Sequence, residues 1–314
     1  MTNKLTLSVS PHIHSGRSTS KIMIDVIIAL LPTTVAGCII FGLRALAVLA
    51  VCIASCVLCE YLFNLACKKK QTIGDLSAVV TGLLLGLNLP ASLPLWQAVI
   101  GSIFAIIVVK CIFGGLGKNL VNPAITARVF MLLSFGAVAT AAFPREAIAT
   151  HADAVSSATP LADMQSGTIP SLLDLFLGNH GGAIGEVCAL ALLIGGAYLI
   201  IRKVITWHIP VAFIGATFVF AFLFHGFDLY FSLAQILSGG LLIGAIFMAT
   251  DYVTSPSTPW GKIIFGIGAA FLTIVIRFWA SLPEGVSYSI LLMNILCPYI
   301  QKLTPRKLFG GKRI

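Results

Sequence analysis

The chain has 314 residues, 58% of them hydrophobic and 10% charged, with a formal net charge of +9. Water-soluble domains carry about 25% charged residues, so this composition excludes a soluble enzyme, a disordered chain and a disulfide-stapled secreted domain. The basic excess admits nucleic-acid binding or loops held at a cytoplasmic membrane face, and position along the chain decides between them.

The first twenty residues are polar and lack the apolar core of a signal peptide, so the first apolar stretch is expected to stay in the mature protein. Apolar stretches follow at 22–42, 45–66, 74–90, 95–113 and 122–143. After a polar connection they resume at 183–201, 208–226, 231–250, 262–281 and 286–301. A helix crosses a bilayer with roughly 20 apolar residues, which predicts an all-α polytopic membrane protein of about ten transmembrane helices. Two stretches are irregular. Gly82, Gly86 and Pro90 interrupt 74–90, while 231–250 carries Gly239, Gly240 and Gly244 and runs into Asp251 and Ser255-Pro256.

Ten crossings put both termini on one side. With the N-terminus inside, all but four of the 20 basic residues lie at the inner face. The exceptions are Arg44 and Arg145 outside, and Arg128 and Arg277 within spans. This asymmetry predicts cytoplasmic termini and makes the basic residues membrane anchors, which removes the nucleic-acid reading. The expected organisation is a cytoplasmic segment 1–21, five spans in 22–143, an outer connection 144–182, five spans in 183–301 and a basic cytoplasmic tail 302–314. The outer connection is acidic (Glu146, Asp153, Asp163, Asp174) and, at 39 residues, longer than a membrane loop needs to be. It is the first place to look for function.

The halves resemble each other. Gly82-Leu-Leu-Leu-Gly86 matches Gly240-Leu-Leu-Ile-Gly244, and each is followed by a Pro-rich break and then Leu95-Trp96 or Pro259-Trp260. Five spans per half inverts the second half relative to the first. Proteins built this way hold their site between the halves, beside broken helices.

Few residues inside such a chain can carry chemistry. Cys52, Cys56 and Cys59 share one face of the second span, and the simplest reading is small apolar packing. Asp25, Asp75 and Asp251 fall near the cytoplasmic ends of three spans, where oxygen ligands would suit the path of a hard cation; interfacial or capping roles are the alternative. Arg277 lies near Glu284, and a guanidinium there pairs with a carboxylate or holds a phosphate or an anionic flavin. His151 and His180 of the outer loop read as solvated.

Several motifs together resemble a known family. Asp153-Ala-Val-Ser156-Ser157-Ala158-Thr159 is similar to the D-x-x-S/T-G-A-T signature of proteins that carry FMN on threonine by a phosphoester. Ser157 stands where that signature has glycine, which would permit positive φ. Met248-Ala-Thr-Asp251-Tyr-Val-Thr-Ser-Pro256 resembles an M-A-T-D-P-V-T-S-P element, with Tyr252 in place of a proline. Gly114–Ala124 and Pro283–Asn294 are similar to further elements of the same family. That family comprises the D-type subunit of Rnf complexes and the homologous B-type subunit of the Na+-translocating NADH:quinone reductase. The short segment before the first span favours the former.

The resemblance implies two inverted five-helix repeats of urea-transporter type. It implies FMN attached to Thr159 by a separate flavin transferase, with Ser156, Ser157, Ala158 and Arg277 as the expected cofactor contacts. It also implies a second, non-covalent flavin, membrane lipid and the other Rnf subunits as partners, and a bacterial cytoplasmic (inner) membrane location with the flavin loop outside. The implied function is electron relay in a ferredoxin:NAD+ oxidoreductase coupled to Na+ or H+ movement. A passive solute channel of the same architecture is the rival.

Overall fold

The computed structural model describes residues 18–136, 159–165, 169–280 and 284–305, and every regular element among them is helical. Ser18 caps α1 (Thr19–Phe41) by accepting from Lys21 N, and Gly42 at φ 75° turns the chain into α2 (Leu43–Ala66). Then come α3 (Ser77–Leu87), α4 (Leu95–Ile103, continued as π-helix over Phe104–Cys111) and α5 (Pro123–Ser134). Short helices α6 (Pro160–Gln165) and α7 (Leu172–Leu177) precede α8 (Ala189–Ile201) and α9 (His208–Phe224). The chain ends with α10 (Leu229–Leu237), α11 (Leu241–Ile243, continued as π-helix over Gly244–Met248), α12 (Pro259–Trp279) and α13 (Val286–Leu303).

Among the described residues α1, α2 and α12 are each long and apolar enough to cross a membrane. Helix α10 and the helix running from Leu241 to Met248 do so jointly, bent by 65° at their break. The stretch 74–90 is shorter than its apolar pattern suggests. Its helix has 11 residues, roughly 16 Å at 1.5 Å per residue, about half of a ~30 Å hydrocarbon core. Pro90 and Pro94 supply no N–H to prolong it. The stretch 183–201 also differs. Its helix begins at Ala189, and the residues before it dock on the end of α3 instead, with Ile184 N donating to Leu89 O (3.1 Å) and Gly185 N to Leu87 O (2.7 Å).

Helices α2 and α3 approach closely because Gly82 has no side chain. A Cβ there would lie 2.8 Å from both Cys52 O and Ile53 Cα. Cys52 and Cys56 are buried on the same helix, and among the described residues no three His, Cys, Asp or Glu side chains group to hold a metal. Small volume is what this seam uses. Gly82→Ala is expected to destabilise by about 1–3 kcal/mol, read as a lower Tm in detergent. Gly74→Ala, whose added carbon meets nothing within 4 Å, should leave Tm unchanged.

Candidate functional site

Two breaks in the apolar runs meet at the centre, one after the short helix α3 and one between α10 and α11. Asn88 ends α3, donating to Leu84 O (2.7 Å) and lying 3.6 Å from Met248 Sδ, at the far end of the second broken element. Arg128 of α5 reaches between the breaks. Its Nη1 donates to Asn88 Oδ1 at 2.5 Å, and its Nη2 pairs with Glu284 and lies 3.5 Å from Glu186 Oε2. Glu186 is carried by the segment that docks on α3, and its other oxygen accepts from Ala183 N (2.9 Å). A Cβ on Gly240 would come within 3.0 Å of Arg128 Nη1 and 3.2 Å of Glu186 Oε2, so the second break must be bare to admit these charges. Arg128 is 4% and Glu186 6% exposed. Ions this deep persist only when paired and hydrogen-bonded.

Arg277 of α12 serves the end of α10. Its Nη1 donates to Gln235 O (2.6 Å) and Gln235 Oε1 (3.0 Å), and its Nη2 to Ser238 O (3.0 Å). These carbonyls are the ones a helix C-terminus leaves without intrahelical partners, and a cation suits that end of the helix dipole. The expected companion, Glu284, is paired with Arg128 instead. Backbone carbonyls hold Arg277 because the break exposes them, a condition the sequence does not display.

A second charged node lies on α2 and the π-helical turn after α4. Lys110 is 2% exposed and pairs with Glu60 Oε2 (2.9 Å), also donating to Ser77 Oγ (2.6 Å). Thr72 donates to Glu60 Oε1 (2.6 Å), and Ser77 Oγ donates to Asp75 Oδ1 (2.5 Å). Lys110 is therefore no solvated anchor. It lines a narrow cleft of about 100 Å³ together with Ser77, Asn119, Asn122, Thr250 and Asp251.

The three proposed cation ligands have separate surroundings. Asp251 lines the cleft and accepts from Thr254 Oγ1 (3.2 Å). Asp75 caps the start of α3, accepting from Ser77 N (2.8 Å). Asp25 accepts from Tyr198 OH (3.0 Å) and pairs with Arg202 (3.3 Å).

Thr159 lies at the other end of the molecule. It is partly exposed and caps α6, its carbonyl accepting from Ala162 N (2.8 Å) and Asp163 N (3.0 Å) and its hydroxyl from Ala162 N (3.4 Å). Leu161 and Met164 of α6 are buried with Leu175, Phe231 and Ala234. Gly239, at φ 67°, is bare beneath Leu161 and Arg277. So α6 sits on the break between α10 and α11. Beside it opens a cavity of about 540 Å³ lined by residues that include Met164, His225, Phe231, Gln235, Arg277 and Trp279. Ser156, Ser157, Ala158 and His151 lie outside the described residues. His180 is not solvated: it is largely buried against Gly181 O (3.0 Å), and burial pushes its imidazole below the ordinary value.

The segments that carry the family resemblance converge. Asn122 Nδ2 donates to Met248 O (3.3 Å). With its amide oriented to satisfy both neighbours, Asn294 donates to Thr254 O (3.2 Å) and accepts from Asn122 N (3.3 Å). Sequence reasoning missed the Lys110–Glu60 pair and the role of Glu186. Their only local signal was a charge at the edge of an apolar run.

Comparison with known proteins agrees with this convergence. The model of the NQR2, RnfD, RnfE family matches residues 6–310. The chain is 47% identical to the D-type subunit of the Na(+)-translocating ferredoxin:NAD(+) oxidoreductase complex of Acetobacterium woodii, over 99% of this chain and 96% of that protein. It is 41% identical to the D-type subunit of the proton-translocating ferredoxin:NAD(+) oxidoreductase complex of Clostridium ljungdahlii, over 99% and 98%. It is 37% identical to the D-type subunit of the ion-translocating oxidoreductase complex of Stutzerimonas stutzeri, over 93% and 92%. The matched stretch takes in both helix breaks, the central ion pairs and the linings of both cavities, and the chain belongs to the NQR2, RnfD, RnfE family.

Proposed function

We propose that this chain is the D-type membrane subunit of an ion-translocating ferredoxin:NAD+ oxidoreductase complex, relaying electrons through FMN esterified to Thr159. The observation that carries the proposal is the setting of Thr159: a partly exposed hydroxyl at the head of α6, within the family's motif and beside an aromatic, arginine-bearing cavity. FMN when bound supplies electron-transfer chemistry that no side chain here has. The residues present suit it. Thr159 offers the phosphoryl acceptor, Arg277 holds a fixed positive charge on the same face, and the packing of Leu161 and Met164 fixes the base of the tether.

The ten-span inverted repeat belongs to the same proposal. Its support is the order of elements: α1 to α5 on one side of the outer connection, α8 to α13 on the other, the third helix short in the first set and bent at a break in the second. The central ion pairs weigh against a passive solute pore. A pore would need its midpoint open, whereas buried Arg128, Glu186 and Asn88 occupy the gap between the breaks. The other Rnf subunits, which we take to carry the ferredoxin and NAD sites, and a maturing flavin transferase are the partners this reading requires. Asp251 on the cleft is its candidate for the ion path.

Co-expression with a flavin transferase is expected to give a fluorescent band for this chain after denaturing electrophoresis. Thr159→Val should lose it and Thr168→Val should keep it. A non-fluorescent wild-type band under those conditions would overturn the proposal.

A further inference from the structure

We propose that the ring of the tethered flavin docks in the aromatic cavity between α9, α10 and α12, with Arg277 as its fixed cationic neighbour. This rests on the attachment at Thr159 proposed above.

Reach comes first. Met164 lines the cavity and is five residues along from Thr159, roughly 7.5 Å at 1.5 Å of helix rise per residue. The link from a threonine oxygen through phosphate and ribityl chain to the ring is about eight single bonds, roughly 10 Å when extended. The ring therefore reaches this cavity. The cleft of Lys110 and Asp251 is out of range, because α9 spans the distance between the two, from Val204 and Ile205 at the cleft to His225 at the cavity. Its 17 residues make roughly 25 Å of helix.

Size and wall chemistry agree. The cavity, about 540 Å³, falls in the middle of the ~300–1,000 Å³ usual for small-molecule sites. His225 lies flat on Phe231, with ring centroids 3.5 Å apart and planes 6° from parallel. Phe278 meets Phe231 edge-on at 5.9 Å, and Trp279 follows at 6.1 Å from Phe278. His225 and Trp279 are exposed, Trp279 by 67%. Flat aromatic walls favour a planar π-ligand by offset or edge contact.

The polar side is equally specific. Arg277 is 4% exposed and pinned by Gln235 and Ser238, so its charge is fixed before any ligand arrives. A lipid tail would gain nothing from a guanidinium and an amide on its wall. A ring with a carbonyl- and nitrogen-rich edge would, and a fixed cation beside that edge raises its potential.

The test uses the full-length flavinylated chain in nanodiscs. The wild type is expected to show quenched flavin fluorescence and an induced visible circular-dichroism signal while folded. His225→Leu/Trp279→Leu, at two exposed positions, should lose both signals and keep the fluorescent band on a denaturing gel. Arg277→Gln should lower the flavin's midpoint potential, and Arg277→Lys should retain most of it. Unchanged quenching and dichroism in the double variant would overturn the docking proposal. A missing band in the wild type would instead overturn the attachment at Thr159.

Discussion

Arg128→Ala is expected to cost about 3–5 kcal/mol of stability, the range for removing one partner of a buried pair. Asn88 Oδ1 and Glu284 lose their donor, and Glu186 loses the charge that faces it at 3.5 Å. Arg277 cannot replace it, because its Nη groups are engaged by Gln235 and Ser238. Arg128→Lys should recover part of the loss, since a point charge can face Glu284 but cannot also span the fork to Asn88. Glu284→Gln should cost less, because Glu186 still faces the guanidinium. Thermal unfolding of the purified chain in detergent checks the series. A wild-type Tm in Arg128→Ala would mean that the cluster does not hold the breaks together.

Lys110→Met should be nearly as costly, again about 3–5 kcal/mol. It leaves Glu60, 2% exposed, with hydroxyl help from Thr72 alone. The double variant Lys110→Met/Glu60→Met is the informative comparison. Replacing a buried pair by apolar groups of similar volume is often neutral or stabilising, so the double variant should unfold at a higher temperature than Lys110→Met. A double variant no more stable than the single one would show that Lys110 acts through Ser77 rather than through Glu60.

These two nodes mark where the sequence stops being informative. Helix positions were legible because membrane helices announce themselves as apolar runs, and Gly239-Gly240 announced a break. The length of α3 was not legible, because Asn88 at its end is a single polar residue in the apolar run from Leu83 to Leu89, with Pro90 and Pro94 following. Lys110 read as an anchor because its partner Glu60 is fifty residues away. Glu284 read as a companion of Arg277 because the two are close in sequence, whereas its partner Arg128 lies 156 residues away. Small packing at Cys52 matches the close approach of α3, whose Gly82 lies against the Cys52 backbone. Thr159 stood out only through its motif, since nothing in the chemistry of an isolated threonine distinguishes it from Thr168.

Ser238, Gly239 and Gly240 form a link of three residues with an arginine at either end. Arg277 grips the carbonyl of Ser238, and Arg128 lies against Gly240. Leu161 of α6 presses on the glycine between them. The glycine under Leu161 and Arg277 is followed directly by the one that bears on Arg128 and Glu186. The face that carries Thr159 and the ion pairs at the centre share one short piece of backbone.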